Sequence, residues 1–292
     1  MISPSDNLRV LTRTHFEQVI TLLDRHPARN ILLRSWVEEY QLEPPGAATT
    51  RGWFVDDELR GVFVHSPIVM MCCDDPIGLT TFGRLVGRSW SITPIAQVMC
   101  PRTMATPFFT AIAEQLGSLP PMRSLRARMI GMQLTADALV PWEEIAARIG
   151  TTKSWSPPRV AQEKDLAAVE EAYYAVLPSD LDLKNSERAA LRQVALSNIQ
   201  GSREYLLEED GQFSFRITVG MATPESILLE GVYTAPAYRD RGHATWGIHA
   251  MCNQLFAEYK RVVVFVEEDN DALRIWGRLG FTAFEEFTSA IF

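Results

Sequence analysis

One stretch near the C-terminal end leaves the fewest choices for the fold: Glu230-Gly-Val-Tyr-Thr-Ala-Pro-Ala-Tyr-Arg-Asp-Arg-Gly-His-Ala244. Ile227, Leu228, Leu229, Val232 and Tyr233 are apolar or β-branched, as a strand requires, and Pro236 ends the run. After Gly242 the period turns helical, with Ala244, Ile248, Met251, Cys252, Leu255, Phe256 and Tyr259 at three- and four-residue steps. The first amides of such a helix lack internal partners, and its dipole adds about half a positive charge there. Gly242 lets backbone approach a ligand closely, and Arg239 and Arg241 supply full charges. Strand, turn and helix together predict an anion cradle. It is not a Walker loop, since no Gly-Lys-Ser/Thr follows, and it lacks the G-x-G-x-x-G of a dinucleotide site.

Arg239-x-x-Gly242-x-Ala244 resembles the R/Q-x-x-G-x-G/A acetyl-CoA signature of the GNAT superfamily of N-acetyltransferases. The V-Y-T strand before it and the tail after it extend the resemblance. That tail is Val262-Val-Val-Phe-Val266 followed by Glu267-Glu-Asp-Asn-Asp-Ala-Leu-Arg-Ile-Trp-Gly-Arg-Leu-Gly-Phe281. It is similar to the family's strand and N-x-x-A-x-x-L-Y-x-x-x-G-F. Two departures stand out. Trp276 replaces the usual Tyr, and counting back from it puts Asp269, not Asn270, at the usual Asn position.

The resemblance implies acetyl-CoA as cofactor and an amine, on a small molecule or a peptide, as acceptor. Arg239, Asp240, Arg241, Gly242, His243 and Ala244 would hold the diphosphate, with His243 facing solvent and giving only its N–H. Val232, Tyr233 and Thr234 would pair with the pantetheine arm, and an N–H near Val232 would face the thioester oxygen. Asp269 or Asn270 would cap the last helix and touch the cofactor, and Trp276 would lie beside it or in the core. An alkylamine has a pKa near 10.4 and must lose a proton before attacking. Glu230 is the candidate base, because partial burial on an apolar strand raises a carboxyl pKa; the alternative is a strand-edge carboxylate on a wet face. His249 reads as a helix-surface residue. An indole cannot serve as the acid that the family's Tyr supplies, though Tyr233 or Tyr238 could substitute. Tyr173, Tyr174, Asp180, Asp182 and the segment Phe284–Phe292 are candidate acceptor liners, or simply structural.

Composition narrows the class. The net charge of −8 argues against nucleic acid as a partner, and no apolar run reaches the roughly 18–20 residues of a membrane span. The expectation is a cytoplasmic protein. Cys72, Cys73, Cys100 and Cys252 lack metal or C-x-x-C spacing and read as core thiols. Residues 151–292 hold 21 acids against 14 bases, which suits a cationic acceptor or a solvated acidic surface.

The halves also echo one another. Residues 9–27 and 159–178 each give a short strand and a helix ending at proline; a second helix and a hairpin follow in each, with turns at Asp57-Glu58 and Asp210-Gly211. Further on, Ile92–Met99 parallels Ile227–Thr234, and Leu125–Ile130 parallels Val262–Val266. This alignment sets Thr103–Phe109, with Pro107 and no glycine, against Tyr238–Ala244. The predicted fold class is α+β: two GNAT-like domains, each a mixed, mostly antiparallel twisted sheet flanked by helices. They span 1–155, a degenerate domain without the CoA motif, and 156–292, the catalytic domain, joined by the linker Thr151–Pro158. Beside the acetyltransferase stand two further readings: a weak or inactive acetyl-CoA sensor, favoured by Trp276, and a scaffold.

Overall fold

Two hairpin turns set the frame of the molecule. Asp56 and Asp57 both take positive φ, 49° and 62°, as do Asp210 and Gly211, 53° and 73°. This is the geometry a two-residue hairpin turn needs, because its twist matches that of the flanking strands. The first turn lies one residue earlier than the sequence suggests. The computed structural model describes residues 7–177 and 183–292.

Contacts divide the chain into residues 1–131 with 284–292, and residues 132–283. The first unit runs β1 (Leu8–Val10), α1 (Phe16–Leu23), α2 (Ile31–Tyr40), β2 (Thr49–Val55), β3 (Glu58–His65), β4 (Ile68–Cys73), α3 (Pro76–Ser89), β5 (Gln97–Pro101), α4 (Arg102–Leu116) and most of β6 (Ser124–Thr135). The second runs α5 (Trp142–Ile149), β7 (Arg159–Val160), α6 (Leu166–Ala175), α7 (Asn185–Gln200), β8 (Glu204–Glu209), β9 (Gln212–Ala222), β10 (Ser226–Thr234), α8 (His243–Leu255), β11 (Arg261–Glu267) and α9 (Ala272–Leu279). The last strand, β12 (Thr282–Ile291), gives its residues from 284 onward to the first unit.

In the first unit the strands lie in the order β1-β2-β3-β4-β5-β12. Pairing is antiparallel except between β4 and β5. Phe63, Val69 and Met71 face α3 and α4, while Val62, Val64 and Met70 face α1 and α2. The helices α3 and α4 meet almost backbone to backbone: a Cβ on Gly83 would sit 2.5 Å from the Phe108 carbonyl oxygen.

The second unit repeats the plan. Its strands run β7-β8-β9-β10-β11, antiparallel except for the parallel pair β10 and β11. Val169, Ala195, Ile199 and Leu206 close one face under α6 and α7. On α8, Ile248, Met251 and Cys252 are buried, and Gly247 lets the ring of Phe215 approach.

Three expectations change here. Instead of a single cut at 155/156, the contacts place α5 and the linker residues 151–158 in the second unit and residues 284–292 in the first. The cause is side-chain packing and pairing: Trp142 stands edge-on to Trp246, and Val140 N–H donates to the Leu279 carbonyl, while Phe287 to Ile291 pair with Pro101 to Gln97 on β5. The half-to-half register also moves by one strand. The strand that lies antiparallel to its hairpin and parallel to the next strand is β4, so β4 matches β10 and β5 matches β11. The counterpart of the Tyr238–Ala244 turn is therefore Asp74–Pro76, not Thr103–Phe109.

Among the described residues, no helix is long and apolar enough to cross a membrane. All four cysteines are free and buried.

Candidate active site

The site begins where two strands part. β10 and β11 pair in parallel at Ser226/Arg261, Ile227/Val262 and Leu228/Val263, and no further among the described residues, although β10 continues to Thr234 and β11 to Glu267. On its other side β10 carries a bulge. Glu230 opposes Thr218 and Tyr233 opposes Arg216, so Gly231 and Val232 together face the single residue Ile217. Gly231 sits at φ 60°, and a Cβ there would come within 2.9 Å of Arg216 Nη1. Bulges of this kind bend a strand and re-aim its backbone groups. Beyond Leu228, β10 thus presents an edge able to hydrogen-bond an extended ligand.

The turn and helix behind this edge have the predicted form. Gly242 is the N-cap of α8 at φ 91°, and no side chain caps the helix. The first helical bond runs from Trp246 N–H to the Gly242 carbonyl, leaving the amides of His243, Ala244 and Thr245 without helical acceptors. A Cβ on Gly242 would lie 3.3 Å from Ile149 Cδ1, so both conformation and space call for glycine. Arg239, Asp240 and Arg241 are exposed. Arg239 Nε donates to the Thr234 carbonyl (3.2 Å), and Arg241 lies over the Tyr238 ring. Neither arginine pairs with a carboxylate among the described residues. Open amides and unpaired arginines fit a phosphate-bearing cofactor.

His243 does not face solvent. It is 1% exposed; its Nε2 lies 3.0 Å from Glu209 Oε2, and its ring packs on Trp155 at 4.4 Å. Glu209 also accepts from Lys153 Nζ and Trp155 Nε1, and these bonds, Lys153 first, hold its carboxyl down to about 2. The linker thus braces the start of α8 through the His243 side chain. His249 is not a surface residue either: it is buried between Trp142 and Trp246, and that burial lowers its pKa.

Glu230 is exposed, with its side chain lying along Gly220 of β9. Its pKa is raised above the ordinary glutamate value, first by desolvation and further by Glu204, while Arg216 opposes the shift. Solvent access limits that shift, but its direction suits a base. Val232 and Thr234 are half-buried on the same strand, and Tyr233 is buried with its ring stacked on Phe213.

In α9, Trp276 is 2% exposed and packs edge-on to Phe281. The N-cap of α9 is Asp271, whose side chain caps nothing; Asn270, one residue earlier, accepts the first helical amide, that of Ala272 (2.9 Å), and Asp269 is exposed. Tyr173 belongs to a buried network described below, and Tyr174 hydrogen-bonds Glu170. Residues 284–292 belong to the first unit, and Asp180 and Asp182 lie outside the described residues.

Sequence reasoning missed Trp155, Glu209, Glu204 and Arg216. A signal existed for the last: Arg216 stands between Phe215 and Ile217 as the one charged residue of its strand, where an unpaired charge is forbidding.

Residues 166–281 match the Acetyltransferase (GNAT) family. No curated protein matches the chain at a significant level. Among solved structures, the chain is similar to a Drosophila protein (12% identity, 98% of each chain, TM-score 0.64). It is also similar to a GCN5-related N-acetyltransferase from Sphaerobacter thermophilus (15% identity, 97% of this chain and 94% of that one, TM-score 0.59). A tandem GNAT protein from the clavulanic acid biosynthesis pathway shares 13% identity over 97% of this chain and 98% of its own, with a TM-score of 0.55. These likenesses give the fold along nearly the whole length, two GNAT-like domains, and the chain carries in its second unit an acetyltransferase domain of the GNAT family.

Proposed function

We propose that the second unit transfers an acetyl group from acetyl-CoA to a primary amine by direct attack in a ternary complex, in the cytoplasm. One observation carries this reading: a helix whose first three amides lack helical acceptors stands behind Gly242, at the end of a strand that has parted from its parallel neighbour.

In this reading the amides of His243 and Ala244, with Arg239 and Arg241, hold the diphosphate; Asp240 contributes backbone. The free edge of β10 at Val232, Tyr233 and Thr234 lines the pantetheine arm. Acetyl-CoA, when bound, supplies an activated thioester carbonyl. The chain supplies the rest. Glu230 takes a proton from the acceptor ammonium, and the Val232 amide donates to the carbonyl oxygen as negative charge gathers there. Trp276 closes the apolar wall beside the cofactor, and Asn270 fixes the helix that carries it. An indole gives up no proton near neutral pH. A thiol of pKa about 8.5 leaves tolerably as the thiolate, so the reaction proceeds without that acid.

Calorimetric titration with CoA, followed by thiol release with a panel of small and peptide amines, tests the proposal. Micromolar binding with turnover on at least one amine supports it, and absence of CoA binding overturns it. The buried Trp276 favours one second reading, an acetyl-CoA sensor. Tight CoA binding with no turnover on any amine would establish that instead.

A further inference from the structure

The second unit buries a complete ion pair with no role so far. Arg216 on β9 and Glu204 on β8 are both 0% exposed. Arg216 Nε and Nη2 donate to the two oxygens of Glu204, each at 2.9 Å, in the forked geometry typical of guanidinium and carboxylate. Thr218 Oγ1 and the Tyr173 hydroxyl donate to the same carboxylate at 3.1 and 2.7 Å, and Asn198 Nδ2 donates to the Tyr173 hydroxyl. The guanidinium stacks on the Tyr173 ring, 3.9 Å from its centroid. These contacts lock the arginine rigidly, and one of its nitrogens remains. Nη1 donates to the carbonyl oxygen of Gly231 at 3.0 Å, inside the bulge of β10.

That bond has a consequence for the next peptide. The Gly231 carbonyl and the Val232 N–H belong to one planar trans unit and point in opposite directions. Holding the carbonyl against Arg216 turns the N–H away from Arg216. The β9 register pairs neither Gly231 nor Val232, and the parallel register with β11 ends at Leu228. The N–H therefore has no place in either ladder.

We infer that Arg216 is a positioning residue: by anchoring the Gly231 carbonyl it aims the Val232 amide at the thioester carbonyl oxygen. Glu204, Tyr173, Asn198 and Thr218 hold the arginine to that task. Glycine suits position 231 because a Cβ there would crowd Nη1 at 2.9 Å and because its φ of 60° disfavours a side chain. The inference rests on the acetyl-CoA reading above, but it can fail separately.

The test uses the full chain and acetyl-CoA carrying a ¹³C-labelled thioester carbonyl, read by isotope-edited infrared spectroscopy, with CoA affinity measured in parallel. In the wild-type protein the bound carbonyl band moves to lower frequency than in free acetyl-CoA. Arg216→Lys keeps a cation for Glu204 but cannot fork it and reach Gly231 together. Its band returns towards the free position while CoA affinity changes less than about threefold, because the diphosphate contacts lie elsewhere. An unshifted wild-type band with CoA bound overturns the inference, as does an Arg216→Lys band identical to wild type. Should that variant not fold, Glu204→Gln, which loosens the fork while keeping its shape, gives an intermediate band; a wild-type band there also overturns it. Failure of CoA to bind at all defeats the underlying reading instead.

Discussion

Two helix starts built on one plan take opposite chemistry. In the first unit, α3 opens at Asp75, whose Oδ1 accepts the Ile77 amide and whose Oδ2 accepts Trp53 Nε1, both at 2.8 Å. Asp74 beside it pairs with Arg29. A carboxylate thus occupies the position where an anion would dock. In the second unit, α8 opens at Gly242 with its amides uncapped and two unpaired arginines in the turn. A carboxylate is close here too, but Glu209 is spent on His243, Trp155 and Lys153 rather than on the helix amides. The strands before them differ as well. Two residues past the last parallel pair stands Cys72 in β4 and Glu230 in β10. Asp75 follows Cys72 by three positions, whereas Gly242 follows Glu230 by twelve. The extra residues are the bulge and the basic turn, so the same strand–helix frame serves as a capped structural corner in one unit and as an open cradle in the other.

The sharpest way to break this comparison is to remove what only the second strand has. Glu230→Gln should lower turnover at pH 7 by on the order of 10² or more, the usual worth of a general base. The carboxylate form is needed and its pKa is raised, so wild-type turnover should climb with pH through a value above the ordinary 4.5, and the variant should lack that limb. An unchanged pH profile would remove Glu230 as base. Cys72, at the matching point of β4, is a buried thiol whose pKa desolvation pushes up to about 11, and it offers no such group.

Next in size is Gly242→Val. Placing a β-branched residue at φ 91° costs on the order of 1–3 kcal/mol, and the new side chain also meets Ile149. CoA affinity should fall about 10- to 100-fold by calorimetry. Retained affinity would discredit the cradle. Asp75→Ala in the first unit should instead cost about 1–2 kcal/mol of stability in urea unfolding and leave CoA affinity unchanged, since it removes a cap and not a ligand site.

The smallest effect concerns the brace behind α8. Ionised Glu209 is favoured in the folded state, so its stabilising share is complete above 4.5 and fades as the pH falls towards about 2. Unfolding monitored across that interval should show a drop in the wild type that Glu209→Gln lacks. Parallel curves would mean that the brace adds nothing.

The strand, turn and helix around Gly242 were legible because each residue type answers one local need: Pro236 to stop, Gly242 for positive φ, and apolar residues at helical spacing. The register of the first half was not. Helix α3 carries Gly78, Gly83 and Gly87, which local propensity counts against a helix, yet Gly83 and Gly87 are what lets α4 pack so closely, and Gly78 makes room for Trp53. Without that helix in the alignment of the halves, every later match moves by one strand. His243 and His249 read as exposed in the sequence because their partners, Trp155 and Trp142, come from segments far back in the chain. The exchange of β12 into the first unit was equally invisible, since alternation within a strand does not say which sheet it joins.

The claim that one start is open and the other capped is tested most directly by the number of CoA molecules bound per wild-type chain in a calorimetric titration. The account predicts one, at micromolar affinity. Two equivalents, or no heat at all, would contradict it.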